Sequence, residues 1–489
     1  MDALQVRSVV AGGATAAMVI ISVYIAANSV SARARRANAR LPPGPKRSIL
    51  FGNLFNFPKK RWFETFSSWK ETYGDIVYVN VAGISMVIVN SFEIAEELAS
   101  NRMGIYSRRP HTIMSSELMS SGYALVLKQP DSEFVEQRKV FRKGVGPLVV
   151  AHYDPLVQQQ CRSLIKALEG FSGHPYDILA LKVGELVNTI AYGESFNATH
   201  GQELIKLNIE RINLITWVFS KIWMVNFFPI LRYIPPWFPG AEFRRIGIRG
   251  TEVTQKLRYW PFGQIRAAVE AGTADDSLVS RLLKDSNLSQ DMLRDAAAVM
   301  FSTANDTTSS AVICVLHCLL RSPEWQERVY REIHEIVGHD RLPRMEDIQN
   351  MELLNAVWKE SIRWNSPAPL GIPHVNSQDD VWNGYFIPKG SLVHCNIGQA
   401  RFMLRDPRIW GVDSEQFNPQ RFLREYNPNI DKLPDMSSLP FGFGRRICPG
   451  RHLAERVGLQ MVAAILATYK LEPVKEIPAE VDWLDSTVR

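Results

Sequence analysis

Apolar residues recur at helical spacing along most of the chain. The pattern predicts helices over roughly 130–171, 175–220, 241–272, 289–321, 322–337 and 351–365, and another from Leu453 to Leu471. Two regions follow a different rhythm. The β-branched runs Ile76-Val77-Tyr78-Val79 and Met86-Val87-Ile88-Val89, separated around Gly83, predict a hairpin. Tyr385-Phe386-Ile387 and Leu392-Val393 predict short strands between 370 and 396. No internal repeat and no Ser-, Gly- or Pro-rich linker interrupts the chain. The expectation is a mainly α protein with a small β-sheet region, built as one large domain over residues 48–489.

The N-terminus has another character. Val9 to Ala27 is a run of 19 uncharged, mostly apolar residues. At about 1.5 Å each, that suffices for a hydrocarbon core of roughly 30 Å. A cleaved signal peptide would carry a shorter apolar region, so residues 1–28 are expected to form a transmembrane anchor. Arg33, Arg35, Arg36 and Arg40 follow the run and only Arg7 precedes it, which by the positive-inside rule leaves the rest of the chain in the cytosol. Residues 29–47 read as a basic, proline-rich hinge ending in Leu41-Pro42-Pro43-Gly44-Pro45. Together these predict a single-pass protein of the endoplasmic reticulum membrane with a cytosolic catalytic domain. The aromatic segment Trp217 to Phe243, interrupted by four prolines, suits either a second membrane contact or core packing.

Charge and cysteine content narrow the function classes. The net charge of +6 resides at the N-terminus: residues 1–60 carry +8, and the remainder is −2. No basic face for nucleic acid follows from such a distribution. The five cysteines, Cys161, Cys314, Cys318, Cys395 and Cys448, are odd in number and contain no Cys-x-x-Cys pair, so neither a disulfide framework nor a structural zinc site is expected.

One cysteine stands in special surroundings. Phe441-Gly442-Phe443-Gly444-Arg445-Arg446-Ile447-Cys448-Pro449-Gly450 is a glycine-punctuated loop just before a helical pattern. Near a helix N-terminus, the dipole and free amides favour a thiolate, which can act as metal ligand or nucleophile. Gly444 and Gly450 permit a flat ligand to approach the backbone, and Arg446 supplies a positive charge for a carboxylate on it. The stretch resembles the haem-binding loop of the cytochrome P-450 family, Phe-x-x-Gly-x-Arg-x-Cys-x-Gly, at every specified position. The resemblance implies the family fold, with haem b between a long central helix and the cysteine loop, and Cys448 as the axial thiolate on iron. Phe441, Gly444, Arg446 and Gly450 would then frame the cofactor.

The central helix should be the one holding Phe301-Ser302-Thr303-Ala304-Asn305-Asp306-Thr307-Thr308, a polar island in an apolar pattern. Buried polar groups are costly unless paired or used, and Thr and Asn can divert backbone hydrogen bonds, so a local widening of this helix is expected. The island resembles the family's oxygen-groove motif, with Asp306 as the acid and Thr307 as the alcohol that deliver protons to dioxygen. Thr303 stands where a smaller residue is usual.

Further family motifs run through the chain. Glu360-Ser361-Ile362-Arg363 and Phe417-Asn418-Pro419-Gln420-Arg421-Phe422 resemble the segments whose charges form a buried structural network, here Glu360, Arg363 and Arg421. Arg138 and His374 match positions that meet haem propionates, although the aromatic four residues before Arg138 is Phe134, which lacks an indole donor. Gly398 replaces a common Trp, and the chain ends at Arg489, ahead of the C-terminal hairpin usual in the family. The order and spacing are those of a membrane-bound, fungal-type member.

No dinucleotide, flavin or iron–sulfur motif is present in the sequence, so electrons must come from outside. The resemblance implies NADPH-cytochrome P-450 reductase as partner, docking near Arg138, Lys139, Arg142 and Lys143. It also implies O2 and a small apolar substrate, contacted by Phe301, Ala304, Asn305, Leu370 and Ile372. The expected activity is a haem-thiolate monooxygenase that hydroxylates an apolar compound, of terpenoid type, in fungal secondary metabolism. Two other readings are a reductase-independent haem-thiolate isomerase or dehydratase, and a non-enzymatic membrane haem sensor. The intact Asp306-Thr307 pair argues against the first, and the sensor would need no proton relay and should show no turnover with NADPH and reductase.

Overall fold

The computed structural model describes residues 18–20, 22–24, 30–35, 37–48, 51–58, 62–221, 223–397 and 403–474. The expected anchor is not upheld. Among the described residues no helix is long and apolar enough to cross a membrane. Within Val9–Ala27 only 18–20 and 22–24 are described, and the rest of that run lies outside the described residues. The single-pass placement in the endoplasmic reticulum membrane rested on this span and falls with it.

The chain divides into two compact units, the first comprising 1–110, 370–403 and 443–445. Helix α1 (Trp62–Tyr73) precedes the anticipated hairpin of β1 (Ile76–Val81) and β2 (Ile84–Val89). Ala82 and Gly83 turn the chain with φ of 48° and 91°, the sign that the two-residue hairpin turn requires. Strands β3 (His374–Val375) and β6 (Leu392–Cys395) complete a four-stranded sheet in the order β1-β2-β6-β3. β6 runs parallel to β2 and antiparallel to β3. Strands β4 (Asp380–Trp382) and β5 (Tyr385–Ile387) form a separate pair.

The second unit, 111–369, 404–442 and 446–489, is helical. The predicted helix over 130–171 is two helices, α2 (Ser132–Val145) and α3 (Asp154–Leu168). Pro147, which removes an amide donor, follows the cap at Gly146 and stops the first. The pattern over 175–220 likewise divides into α4 (Tyr176–Tyr192) and α5 (Glu194–Phe219) at Gly193, whose φ of 100° no helix accommodates. Hydrophobic periodicity runs on through both breaks because each helix keeps an apolar face toward the same core. The other expectations hold closely: α6 (Glu242–Glu270), α7 (Gln290–Arg321), α8 (Pro323–Val337), α9 (Glu352–Trp364) and α10 (Arg451–Thr468). Helix α7 is buried over most of its length and packs against α2, α4, α6, α8, α9 and α10.

The aromatic segment Trp217 to Phe243 has two parts. Trp217, Trp223 and Phe243 pack on the buried cluster of Ile113, Met114, Met119, Val218 and Val225. Phe219, Phe228, Trp237 and Phe238 are exposed.

Candidate functional site

In the second unit, Cys448 lies at the entrance to α10. Its amide donates to the Phe441 carbonyl at 2.9 Å, closing the loop, and Gly450 caps the helix. Burial pushes the Cys448 thiol up; the amides of Gly450 and Arg451 and the charges of Arg138 and Arg451 pull it down. Burial prevails, so the thiolate needs a positive partner beyond those the loop supplies. The other four cysteines are fully buried, and burial pushes the thiols of Cys161, Cys318 and Cys395 up to about 12.

Two guanidiniums flank the loop. Arg446 donates to the carbonyls of Leu125 at 3.2 Å and Lys128 at 2.7 Å. Arg138 donates to the Ile447 carbonyl at 2.9 Å and forms no ion pair among the described residues. Burial and then the neighbouring Arg138 bring Arg446 down to about 10; burial also lowers Arg138. Phe134, without an indole donor, offers its ring instead: Arg446 lies 4.1 Å and Arg138 5.9 Å from its centroid. Positive charge held among carbonyls and an aromatic face, beside a half-buried thiol, suits a dianionic group ligated by that sulfur. The residues present therefore fit a haem.

Helix α7 supplies the polar island, with a local difference from expectation. The helix continues unbroken from Gln290 to Arg321. Its hydroxyls bond back to carbonyls one turn earlier, Thr303 to Val299 at 2.8 Å, Thr307 to Thr303 at 2.9 Å and Ser309 to Asn305 at 2.7 Å. Such bonds satisfy the side chains without opening the ladder, so the expected widening is absent. Thr303, Ala304 and Thr307 share one face and keep some exposure. Asp306 is buried and accepts a hydrogen bond from the Tyr176 hydroxyl of α4. Phe301 and Asn305 lie on the opposite side of α7 from Thr303. The Phe301 ring meets Tyr192 with centroids 6.4 Å apart, and Asn305 closes on Gly184. Both therefore pack toward α4, away from Thr303.

Glu360, Arg363 and Arg421 do meet. Glu360 and Arg363 are fully buried and joined by two bonds of 2.7 and 2.8 Å. Arg363 also donates to the carbonyls of Leu404, Ser414 and Gln416, while Glu360 accepts from the Asn418 amide at 2.9 Å. Arg421 lies 3.6 Å from Glu360 and 3.0 Å from Asp413. Every polar atom of the Glu360–Arg363 pair thus has a partner.

The remaining candidates belong to the first unit. His374 is buried with Nδ1 2.7 Å from the Tyr106 carbonyl. Leu370 is buried and Ile372 half-buried; the Ile372 and Pro373 carbonyls accept from Arg109. A side chain at Gly444 would strike the Ala99 carbonyl, so only glycine permits this approach. Tyr176, Leu125 and Lys128 were not legible as site residues. No local motif marks a tyrosine that will bond an aspartate 130 positions away, or a carbonyl that will bond an arginine.

The comparisons agree with this geometry. The cytochrome P450 family model matches residues 42–486. The chain belongs to the cytochrome P450 family. Cytochrome P450 monooxygenase 98 of Postia placenta is 32% identical over 470 residues, covering 94% of this chain and 89% of that protein. Cytochrome P450 monooxygenase COX1 of Coprinopsis cinerea is 32% identical over 466 residues, 90% of this chain and 87% of the relative. Cytochrome P450 monooxygenase claR of Ampulloclitocybe clavipes is 30% identical over 460 residues, 93% and 83% of the two chains. This P450 is a monooxygenase of mainly α fold, with haem b and iron on an axial cysteine thiolate. It uses O2, an organic substrate and a redox partner reductase.

Proposed function

We propose that this P450 hydroxylates an apolar C–H bond in a fungal secondary metabolite of terpenoid type, with electrons from NADPH-cytochrome P450 reductase. Cys448 is the axial ligand, and Arg138 and Arg446 receive the cofactor's carboxylates, with Phe441 and Gly450 shaping the loop. The haem supplies oxygen activation when bound. Positioning and proton transfer fall to side chains of this chain. Asp306 passes protons inward, its carboxylate oriented by the Tyr176 hydroxyl, and Thr307 presents its hydroxyl on the open face of α7 beside Thr303 and Ala304. Ala304, on the same face of α7, offers an apolar contact that turns a C–H bond toward the reaction.

The observation that carries this reading is the Asp306-Thr307 pair, with the acid held by a tyrosine and the alcohol on the exposed side of the same turn. Reconstitution with reductase and NADPH tests it. Asp306→Asn and Thr307→Ala should go on consuming NADPH while hydrogen peroxide replaces hydroxylated product. Unchanged coupling in both variants would remove these residues from proton delivery. The docking of reductase on Arg138, Lys139, Arg142 and Lys143 predicts reduction that slows as salt rises.

A further inference from the structure

Five arginines are buried among the described residues: Arg109, Arg211, Arg363, Arg421 and Arg446. Four have acceptors: carbonyls for Arg109 and Arg446, carboxylates for Arg363 and Arg421. Arg211, only 7% exposed, makes no hydrogen bond or ion pair among the described residues, and its Nε is sealed without a partner. One turn before it on α5, Asn208 is wholly buried, and neither its amide nitrogen nor its oxygen is bonded.

The two side chains share the inward face of α5, three residues apart, between the buried Leu204 and Val218. Helix α6 runs antiparallel alongside, fastened by Lys256–Glu203 at 2.7 Å and Arg249–Glu210 at 2.6 Å. That register sets α5 beside the part of α6 that holds Thr254, also fully buried with its hydroxyl unpaired. Further along α5, Leu214, Ile215 and Val218 belong to the apolar cluster of Met114, Met119 and Val225.

A guanidinium cannot shed its charge, so burying one with no acceptor is costly, and a second bare polar group beside it compounds the cost. A ligand that brought an anionic acceptor would remove it. The planar fork suits a carboxylate, the Asn208 amide adds a donor, and the adjoining surface is apolar. We propose that Arg211 and Asn208 form a recognition site for the carboxylate of an otherwise apolar substrate. The inference rests on the monooxygenase reading and narrows its substrate to an apolar carboxylic acid.

The test uses the haem-loaded full chain, titrated with dehydroabietate and dodecanoate and with the methyl ester of each, and followed by the Soret spin-state shift. At least one acid should bind about tenfold tighter than its ester, which is about 1.4 kcal/mol. Arg211→Gln should erase that preference while leaving ester affinity in place, and Arg211→Lys should restore part of it. Asn208→Leu, which adds no charge change, should reduce the preference about threefold and serves if Arg211→Gln does not fold. Equal binding of acids and esters by the wild type, a preference that survives Arg211→Gln, or one undiminished in Asn208→Leu, would overturn the proposal. The carbon-monoxide difference spectrum of the same samples reads the haem-thiolate assignment separately: its loss in the wild type would count against the monooxygenase reading, whatever the acid preference.

Discussion

Arg363 and Arg211 are both buried arginines on helices of the same unit, yet their surroundings are opposite. Arg363 spends its donors on Glu360 and three carbonyls, while Arg211 has no partner among the described residues. A saturated buried charge ties distant segments together, here α9 to the stretch around 404–418. A bare one destabilises the empty fold and is retained where a ligand completes it. The difference separates residues that hold this P450 together from residues that read its substrate.

The largest expected effect lies on the saturated side. Removing one partner from the Glu360–Arg363 pair strands the other, so Glu360→Ala and Arg363→Ala should each cost about 3–5 kcal/mol. The double variant should cost far less than the sum of the two, because neither charge is then stranded. Yield of haem-loaded protein and thermal inactivation check both points, and additive losses would break the comparison.

A buried base that can lose its proton offers a control. His394, on β6, has its pKa brought down to about 4 by burial, so it stays neutral in the fold while ionising near 6.5 when unfolded. Its contribution to stability is complete above pH 6.5 and is lost as pH falls from 6.5 to 4, by about 3 kcal/mol at most. Acid unfolding of the wild type should steepen across that window, and His394→Gln should flatten it. Identical acid profiles would mean that His394 does not set the slope.

Proton delivery comes next in size. Asp306→Asn should lower product formation about 10²-fold with NADPH oxidation retained. Tyr176→Phe, which removes one hydrogen bond from the Asp306 carboxylate, should cost about 1 kcal/mol, or some fivefold in product per NADPH. A tyrosine variant as impaired as the aspartate variant would make Tyr176 a proton donor in its own right, where the account gives it a positioning part.

These contrasts also mark what could be read from residues alone. The loop around Cys448 and the pair Glu360 and Arg363 were legible because short-range spacing constrains them. The hairpin at Ala82-Gly83 was legible because its turn chemistry is local. Helix ends at Gly146 and Gly193 were not, since the apolar period continues across them. The apolar run at Val9–Ala27 satisfied a length criterion, yet no membrane-crossing helix is found among the described residues. Phe301 and Asn305 pack toward α4, and one-dimensional order does not say which side of α7 faces that helix. Arg211 looks like any helical arginine in sequence; only the absence of an acceptor among the described residues distinguishes it.

The most direct measurement is the thermal unfolding of wild type and Arg211→Met, each with and without dehydroabietate. Met retains the length and removes the bare charge, so the variant should melt at or above the wild type, whereas Arg363→Met should melt well below it. Dehydroabietate should raise the melting temperature of the wild type and leave Arg211→Met unmoved. An Arg211→Met protein several degrees less stable than wild type, and stabilised by the acid to the same extent, would contradict the account.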